Sequence, residues 1–211
     1  MTPIDLVTWP REQHFSLFKE FTQPYFNVCV QLDMGALYQH CKSQQCSFFH
    51  AYIYATLQAS NTYQPMLLRI IDGVPWQLAA QRASVVELAD DDTFRFSYFS
   101  QQATLNDFQV HANKVSLAAK QQPLFSTAFA QTEGQTDLIH ISVLPWLNFT
   151  SFSHAHTQGN HFGIPKLVFG QFDAQKGTMP ISIDVHHALM DGLHVAKFIE
   201  QLQQSIDALC A

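Results

Sequence analysis

The segment from residue 186 to residue 192 reads His-His-Ala-Leu-Met-Asp-Gly, and it follows the apolar, strand-like run Met179–Val185. A histidine has a pKa near neutrality, so it can take the proton from an alcohol as that alcohol attacks a thioester. Neighbouring residues of a strand face opposite sides. We therefore expect only one of His186 and His187 to point into a catalytic cavity, and the other to support the strand end.

The acid of this segment, Asp191, lies four residues after His187 and immediately before Gly192. Two roles are open to it from the residues alone. It could hold the catalytic histidine, as the acid of a triad does. It could instead pair with an arginine and fix the loop that carries the histidine.

The elements that must position these residues follow from hydrophobic periodicity and turn chemistry. The predicted helices are Thr8–Phe21, a short helix capped by Asp33 and ending at His40, Ser47–Ser60, Asn106–Lys120 and an amphipathic helix containing Val195–Leu209. The predicted strands are Phe26–Asp33, Phe94–Phe99, Leu138–Val143, Lys166–Phe172 and Met179–Val185, with a hairpin at Asp72-Gly73 between Leu67–Ile71 and Val74–Leu78.

Strands and helices mix in this order without strict alternation. The expected fold class is therefore α/β, as an α+β two-layer sandwich in which helices cover a mixed, largely antiparallel sheet. The chain has 211 residues and no internal repeat or linker, so we expect a single domain over residues 1–211.

Composition excludes several function classes. The net charge of −6 argues against a nucleic-acid partner, because phosphate binding needs clustered Lys and Arg. The sequence has no run of eighteen apolar residues and no signal-like start, which predicts a cytoplasmic protein with no membrane partner.

The four cysteines form no Cys-x-x-Cys pair and are expected to be reduced. Only 13% of residues are charged, which suggests that a second subunit covers part of the surface.

A metal site is the alternative use of the histidines at 154, 156 and 161. A His-x-His pair on a strand can bind zinc. No Cys, Asp or Glu lies nearby in the sequence to complete the ligand set, so no metal is expected.

Four segments carry a family resemblance. They are WPREQHF from Trp9, ISVLPWLNFTSF from Ile141, IPKLVFGQF from Ile164 and VHHALMDGLHVAKFIEQLQ from Val185. In this order they resemble chloramphenicol acetyltransferases over nearly the whole chain. The His-His-x3-Asp-Gly motif also marks condensation domains, which are about twice as long, and lipoyl-dependent acyltransferases, which usually carry a lipoyl domain. The Trp9 and Trp146 segments favour the chloramphenicol-type branch, with its CoA-dependent acyltransferase fold.

The resemblance implies roles for four residues. His187, the second histidine, matches the general base. Asp191 matches an acid that bonds an arginine, and Arg11 matches that arginine. Ser142 matches the hydroxyl that stabilises the tetrahedral oxyanion. The implied reaction is O-acetylation of chloramphenicol or a similar small alcohol by acetyl-CoA, which would inactivate the antibiotic.

The resemblance also implies a homotrimer with each active site at a subunit interface. His187 would come from one chain, and acceptor-lining residues from the next. Phe18, Phe26 and Phe152 would line the acceptor pocket. His140 and His154 would add polar groups where the family more often has asparagine and an apolar residue, which leaves a different acceptor open.

The coenzyme site departs from the family in two ways. Phe172 matches an aromatic that packs on adenine, and Val168 stands where a threonine often holds a water. Two lysines that approach the 3′-phosphate are replaced by Ser47 and Gln171. Two alternatives therefore remain: an acyltransferase for another alcohol or thiol, and a non-catalytic relative that binds an aromatic ligand.

Overall fold

The computed structural model describes residues 1–155 and 162–211. Its strands are β1 (Thr2–Pro3), β2 (Tyr25–Asp33), β3 (Leu68–Ile71), β4 (Val74–Gln77), β5 (Arg82–Leu88), β6 (Phe94–Phe99), β7 (Leu138–Val143), β8 (Lys166–Phe169) and β9 (Thr178–His186). Its helices are α1 (Glu12–Phe18), α2 (Gly35–Gln44), α3 (Phe48–Thr62), α4 (Leu105–Lys120), α5 (Thr127–Thr132) and α6 (Gly192–Ala208), with a 3-10 turn at Gln64–Leu67.

The main sheet has the strand order β2-β9-β8-β7-β5-β6. Its pairs are antiparallel except for β5 with β7 and β7 with β8, which are parallel. A small antiparallel sheet, β1-β4-β3, lies beside it. This architecture confirms the predicted fold class of helices on a mixed, largely antiparallel sheet.

The two faces of the main sheet differ in chemistry. One face buries apolar residues such as Ile141, Leu167 and Ile183, which the strand register sets side by side. Helices α3 and α6, which pack on each other, and α4, which packs against β6, form the helical layer. Burying these side chains provides the main driving force for folding, because it removes apolar surface from water.

The opposite face carries a polar row across five strands. In register, Asn27 lies beside Asp184, Asp184 beside Lys166, Lys166 beside His140, and His140 beside Ser84. Buried polar groups need hydrogen-bond partners, so these side chains must bond one another or the loops above them. The polar face is therefore the part of the sheet where binding chemistry is concentrated.

Several local predictions are confirmed. Asp72 and Gly73 both have positive φ, 51° and 74°, as a two-residue hairpin of the type I′ kind requires. The helix predicted at Ser47–Ser60 is α3, Phe48–Thr62, and it begins after Ser47 because the hydroxyl of Ser47 accepts a hydrogen bond from the His50 backbone N–H. Strands β6 and β7 have the predicted bounds.

Three elements have different bounds from those predicted. The helix predicted at Thr8–Phe21 spans only Glu12–Phe18, because the Thr8 hydroxyl bonds Asp5 instead of capping the helix. The short helix runs beyond His40 to Gln44. Strand β8 ends at Phe169 instead of Phe172, since the N–H of Gln171 turns away to donate to the carbonyl of Leu147. The sequence analysis also missed β1, β5 and α5.

Gly170 follows β8 where the backbone meets the loop after β7. A Cβ there would lie 2.6 Å from Pro180, 2.7 Å from the Leu147 carbonyl oxygen and 2.9 Å from Phe149. We expect Gly170→Ala to lower the free energy of unfolding by roughly 1–3 kcal/mol, since a backbone atom cannot move aside cheaply. Urea unfolding at fixed protein concentration measures this.

Gly192→Ala is the matched control. A Cβ at Gly192 meets no atom within 4 Å, and alanine favours the helix that begins there. We expect this variant to be as stable as the wild-type chain or slightly more stable. Equal losses in both variants would contradict the proposed crowding at Gly170.

Candidate active site

An ion pair joins the two ends of the chain beside the histidines. Arg11 Nη1 donates to Asp191 Oδ2 at 2.7 Å, and Arg11 Nη2 donates to the backbone carbonyl of His187 at 3.2 Å. The Arg11 side chain is 12% exposed and the Asp191 side chain 35%, so the guanidinium is shielded from water while the carboxylate is partly open to it. Of the two roles open to Asp191, the structure shows the pairing with an arginine, which fixes the turn carrying His187.

Asp191 also begins helix α6. Its Oδ1 accepts hydrogen bonds from the backbone N–H groups of Leu193 and His194 at 3.1 and 3.3 Å, and contacts His194 Nδ1 at 2.7 Å. Burial acts to raise the pKa of Asp191, but the hydrogen bonds from His194 and Arg11 outweigh it and hold that pKa below its usual range. Asp191 is therefore ionised at neutral pH.

Sequence reasoning missed His194. A signal was present, because a residue three positions after an N-cap aspartate can complete a capping box. Here His194 fills that position and bonds both the side chain and the backbone N–H of Asp191.

His187 lies just after β9, and both its backbone N–H and its backbone carbonyl are hydrogen-bonded. Its N–H donates to the carbonyl of Pro24 at 2.8 Å, while its carbonyl accepts from Arg11. Its ring stacks on Phe18 at 3.9 Å between centroids with an interplanar angle of 6°, and contacts Phe26 at 4.7 Å. This aromatic clamp fixes the imidazole plane.

The two ring nitrogens of His187 are not equivalent. Within the described residues, Nδ1 is buried and no group hydrogen-bonds to it. The half-buried ring therefore presents its other nitrogen, Nε2, to a reactant. A base presented in this way suits removal of a proton from an incoming hydroxyl.

His186 faces the other way, as strand alternation requires. It is 1% exposed, and its Nδ1 accepts from the backbone N–H of Ala188 at 3.2 Å. Its ring makes an edge contact with Tyr25. His186 therefore supports the turn, and His187 is the histidine open to chemistry.

Ser142 does not lie near His187 in the same chain. Ser142 pairs with Val168, and Val168 pairs with Ser182, so Ser142 is two strands away from β9. His187 is a further five residues along β9 from Ser182. At about 4.8 Å per strand and 3.3 Å per residue, the Cα atoms of Ser142 and His187 lie roughly 19 Å apart.

Phe18 and Phe26 also require a correction. The interpretation that acceptor-lining residues come from a different chain than His187 is wrong for these two, because both contact His187 within one chain. Phe152 makes no such contact and instead packs on Phe149 and His154.

His140 lies in the polar row with its Nδ1 3.4 Å from Glu133. Burial, reinforced by the positive charges of Lys166 and Arg69, lowers the pKa of His140 to about 4. His140 is therefore neutral at pH 7, and its contact with Glu133 is not an ion pair. Burial also lowers the pKa of Lys166, whose Nζ donates to the carbonyl of Ala155 at 2.7 Å.

His154 is tied to the same row. Its Nδ1 lies 2.6 Å from Asp184 Oδ2, and the other oxygen of Asp184 accepts from Asn27. His154 thus fastens the segment that follows β7 to the sheet, with the Phe152 ring against its edge. His140, His154 and Phe152 form one neighbourhood on the polar face, away from the His187 of the same chain.

The two predicted coenzyme contacts differ in accessibility. Phe172 is half-buried and packs with Tyr38 and Phe48 at 4.6 and 5.4 Å between ring centroids. Val168 is fully buried beside Ser142, so within one chain its side chain is closed to a ligand.

A largely apolar cleft of about 350 Å³ lies at the end of β7, where Val143 and the residues after it line it. The aromatic and aliphatic residues around it include Phe49, Val86, Val143 and Trp146. Sequence reasoning missed this cleft, because its lining comes from strands β5 and β7 and helix α3, which only the fold brings together.

Two of the histidines in the metal hypothesis, His156 and His161, lie outside the described residues. Within residues 1–155 and 162–211, no group of three or more His, Cys, Asp or Glu side chains is arranged to hold a metal ion. In this same part of the chain, no helix is long and apolar enough to cross a membrane.

The fold and the site together are those of an acyltransferase. The chain matches the family model for chloramphenicol acetyltransferase over residues 1–203, so it belongs to the chloramphenicol acetyltransferase family. The resemblance found in the four sequence segments is confirmed, and so is the enzyme class expected from it.

Individual relatives agree with this assignment. A chloramphenicol acetyltransferase of Proteus mirabilis is 27% identical over 98% of this chain and 95% of its own length. Chloramphenicol acetyltransferase 2 of Escherichia coli is 28% identical, covering 98% of this chain and 97% of its own length.

Solved structures show the same fold. One chloramphenicol acetyltransferase structure superposes with a TM-score of 0.84 at 25% identity, covering 97% of this chain and 99% of that chain. A probable dihydrolipoamide acetyltransferase from Listeria monocytogenes shares the fold with a TM-score of 0.67 at 16% identity, covering 99% and 94% of the two chains.

The ion pair between Arg11 and Asp191 predicts coupled effects on stability. Arg11→Ala leaves the Asp191 carboxylate without its cation, while Asp191→Asn removes the charge but keeps an oxygen that can cap α6. We expect each to lower the free energy of unfolding, with a coupling of roughly 0.5–3 kcal/mol between them. A double-mutant cycle in urea at fixed protein concentration measures the coupling, and strict additivity would contradict the pairing.

Proposed function

We propose that this chain transfers the acetyl group of acetyl-CoA to a hydroxyl of chloramphenicol, inactivating the antibiotic in the cytoplasm, with His187 as general base. The observation that carries the proposal is the placement of His187. Its backbone is held by Pro24 and Arg11, its ring is clamped by Phe18, and Nε2 is the nitrogen left to a reactant. The names of the relatives supply the acceptor.

The separation of Ser142 from His187 supports a site shared between subunits. Both groups must reach one tetrahedral intermediate, at about 3 Å from the reacting atoms, which roughly 19 Å within one chain does not allow. A homotrimer solves this, because a closed ring brings two different patches of each chain together in three identical clefts. In that assembly one chain contributes His187, Phe18 and Phe26, and the next contributes Ser142 and Phe152.

The cleft at the end of β7, which begins one residue after Ser142, supports a path for acetyl-CoA. The thioester would lie at Ser142, and the apolar arm would run along Val143 and Phe49. Phe49 is next to Phe48, which packs on Phe172, so the adenine would reach that aromatic group. The coenzyme phosphates would then lie near the N-terminus of α3, where backbone N–H groups favour an anion.

The reaction needs no covalent enzyme intermediate. His187 Nε2 takes the proton of the acceptor hydroxyl as its oxygen attacks the thioester carbonyl carbon. The resulting oxyanion accepts a hydrogen bond from the Ser142 hydroxyl, and one such donor can contribute about 3 kcal/mol to transition-state stabilisation. Collapse breaks the carbon–sulfur bond, and the departing CoA thiolate takes the proton back from His187.

A different alcohol is the second candidate acceptor, and the polar face favours it. His140, His154 and Lys166 share the neighbourhood of Phe152, where the proposed cleft would hold the acceptor. Their polarity would suit an acceptor with more hydrogen-bonding groups than chloramphenicol, although Lys166 and His154 already have partners within the chain. A panel of alcohols in one assay separates the two candidates.

His187→Ala should lower turnover by roughly 10²–10⁴-fold, because the general base is lost. The assay follows thiol release from acetyl-CoA in the presence of chloramphenicol or another alcohol of the panel. Unchanged circular dichroism and particle mass show that the variant is folded. A near-wild-type rate for His187→Ala would overturn the base assignment, and a wild-type chain that acetylates no alcohol would overturn the proposed function.

The shared site predicts rescue between inactive variants. Refolding a mixture of His187→Ala and Phe152→Asp chains should restore activity, because some clefts then combine an intact His187 with an intact Phe152. Random assembly of equal amounts leaves about a quarter of the clefts intact. Light scattering should report three subunits per particle.

The control uses Phe18, which stacks on His187 in one chain. A mixture of His187→Ala with Phe18→Asp should show no rescue, since every cleft then lacks one of the two. Rescue by this second mixture, or none by the first in well-folded trimers, would rule out the proposed division of residues between subunits.

A further inference from the structure

Three cysteines meet where α2 ends, α3 begins and α6 ends. Cys41 is 2% exposed in the last turns of α2, and Cys46 is half-buried just before the cap of α3. Cys210 is half-buried after α6. All three belong to the core or pack against it. They lie away from His187, and Cys46 directly precedes the N-terminus of α3, near which the coenzyme phosphates are proposed to lie.

The geometry of the α2 terminus sets Cys41 and Cys46 face to face. The N–H of Cys46 donates to the carbonyl of Cys41 at 2.9 Å, and Gln45 between them has left-handed dihedrals of 52° and 39°. This is the Schellman arrangement of helix ends, in which the side chains at these two positions touch. Here both contacting side chains are thiols.

The same hydrogen bond limits the distance between the two backbones. Its acceptor oxygen lies about 2.4 Å from the Cys41 Cα, and its donor nitrogen about 1.5 Å from the Cys46 Cα. With 2.9 Å between oxygen and nitrogen, the two Cα atoms are at most about 6.8 Å apart. Disulfides span Cα distances up to about that value.

The two thiols differ in access. Burial, and next the neighbouring Cys46 thiol, raise the pKa of Cys41 to about 12, so Cys41 is protonated at neutral pH. Cys46 is the more accessible of the pair. Cys210 Sγ is directed onto its own helix, 3.6 Å from the Ile206 carbonyl.

We propose that Cys41 and Cys46 form a reversible disulfide when a peroxide reaches the chain. The Cys46 thiolate attacks one peroxide oxygen, breaking the O–O bond and giving a sulfenic acid and water. The Cys41 sulfur then attacks the sulfenic sulfur, and its proton leaves with the hydroxyl as a second water. Two thiols and one hydrogen peroxide thus become one disulfide and two waters.

The sequence allows a direct test, because Lys42 lies between the two cysteines. Trypsin cleavage after Lys42 separates Cys41, in residues 20–42, from Cys46, in residues 43–69. Cys210 is then in residues 198–211. The intact protein is treated with hydrogen peroxide, its free thiols are alkylated under denaturing conditions, and the digest is analysed by mass spectrometry without reduction.

We expect the peptides 20–42 and 43–69 to be joined in most molecules, and to separate on treatment with dithiothreitol. Cys29 shares the first peptide, so Cys29→Ser should keep the link and Cys41→Ser should abolish it. Two outcomes would overturn the proposal: a main link between 43–69 and 198–211, or unlinked peptides in which Cys46 is intact or oxidised to sulfinic acid.

Discussion

The ion pair between Arg11 and Asp191 is the contact on which the site depends. One carboxylate caps helix α6 and pairs with an arginine from the N-terminal segment, and that arginine also holds the carbonyl of His187. Three separate parts of the chain therefore converge on a single charge pair, whose arginine is shielded from water. Removing Asp191 would leave this guanidinium without compensation, which is costly for a charge away from water. The orientation of His187 thus depends on groups that need not touch the reacting atoms.

The sheet imposes the second constraint. Ser142 and His187 belong to strands whose register is fixed by backbone hydrogen bonds, so side-chain motion cannot close the distance between them. A slip of one residue would turn every apolar side chain of a strand away from the core. The rigid sheet explains why each proposed cleft is assembled from two chains. In the proposed assembly it also separates two tasks, since one wall would carry the base and the other the oxyanion donor.

Sequence predicted best the features that depend on local chemistry. The Asp72-Gly73 hairpin follows from residues that tolerate positive φ, and the start of α3 follows from the hydroxyl of Ser47. The different environments of His186 and His187 could also be predicted, because neighbouring residues of a strand face opposite sides. Strand β5 was missed because its apolar residues form a short run without alternation, bounded by charges. The placement of Ser142 needed the strand register, which no local pattern encodes.

The pairing of β2 with β9 has a consequence for synthesis. These strands are hydrogen-bonded along their whole length, although residues 34–177, about two thirds of the chain, separate them in sequence. A ribosome makes the chain from its N-terminus, so β2 emerges long before its partner exists. During that interval its backbone has no partner from β9, and the edge of the growing sheet is open to other chains. The sheet is completed only after β9 has been synthesised, so the newborn polypeptide carries this open edge throughout the synthesis of the segment between the two strands.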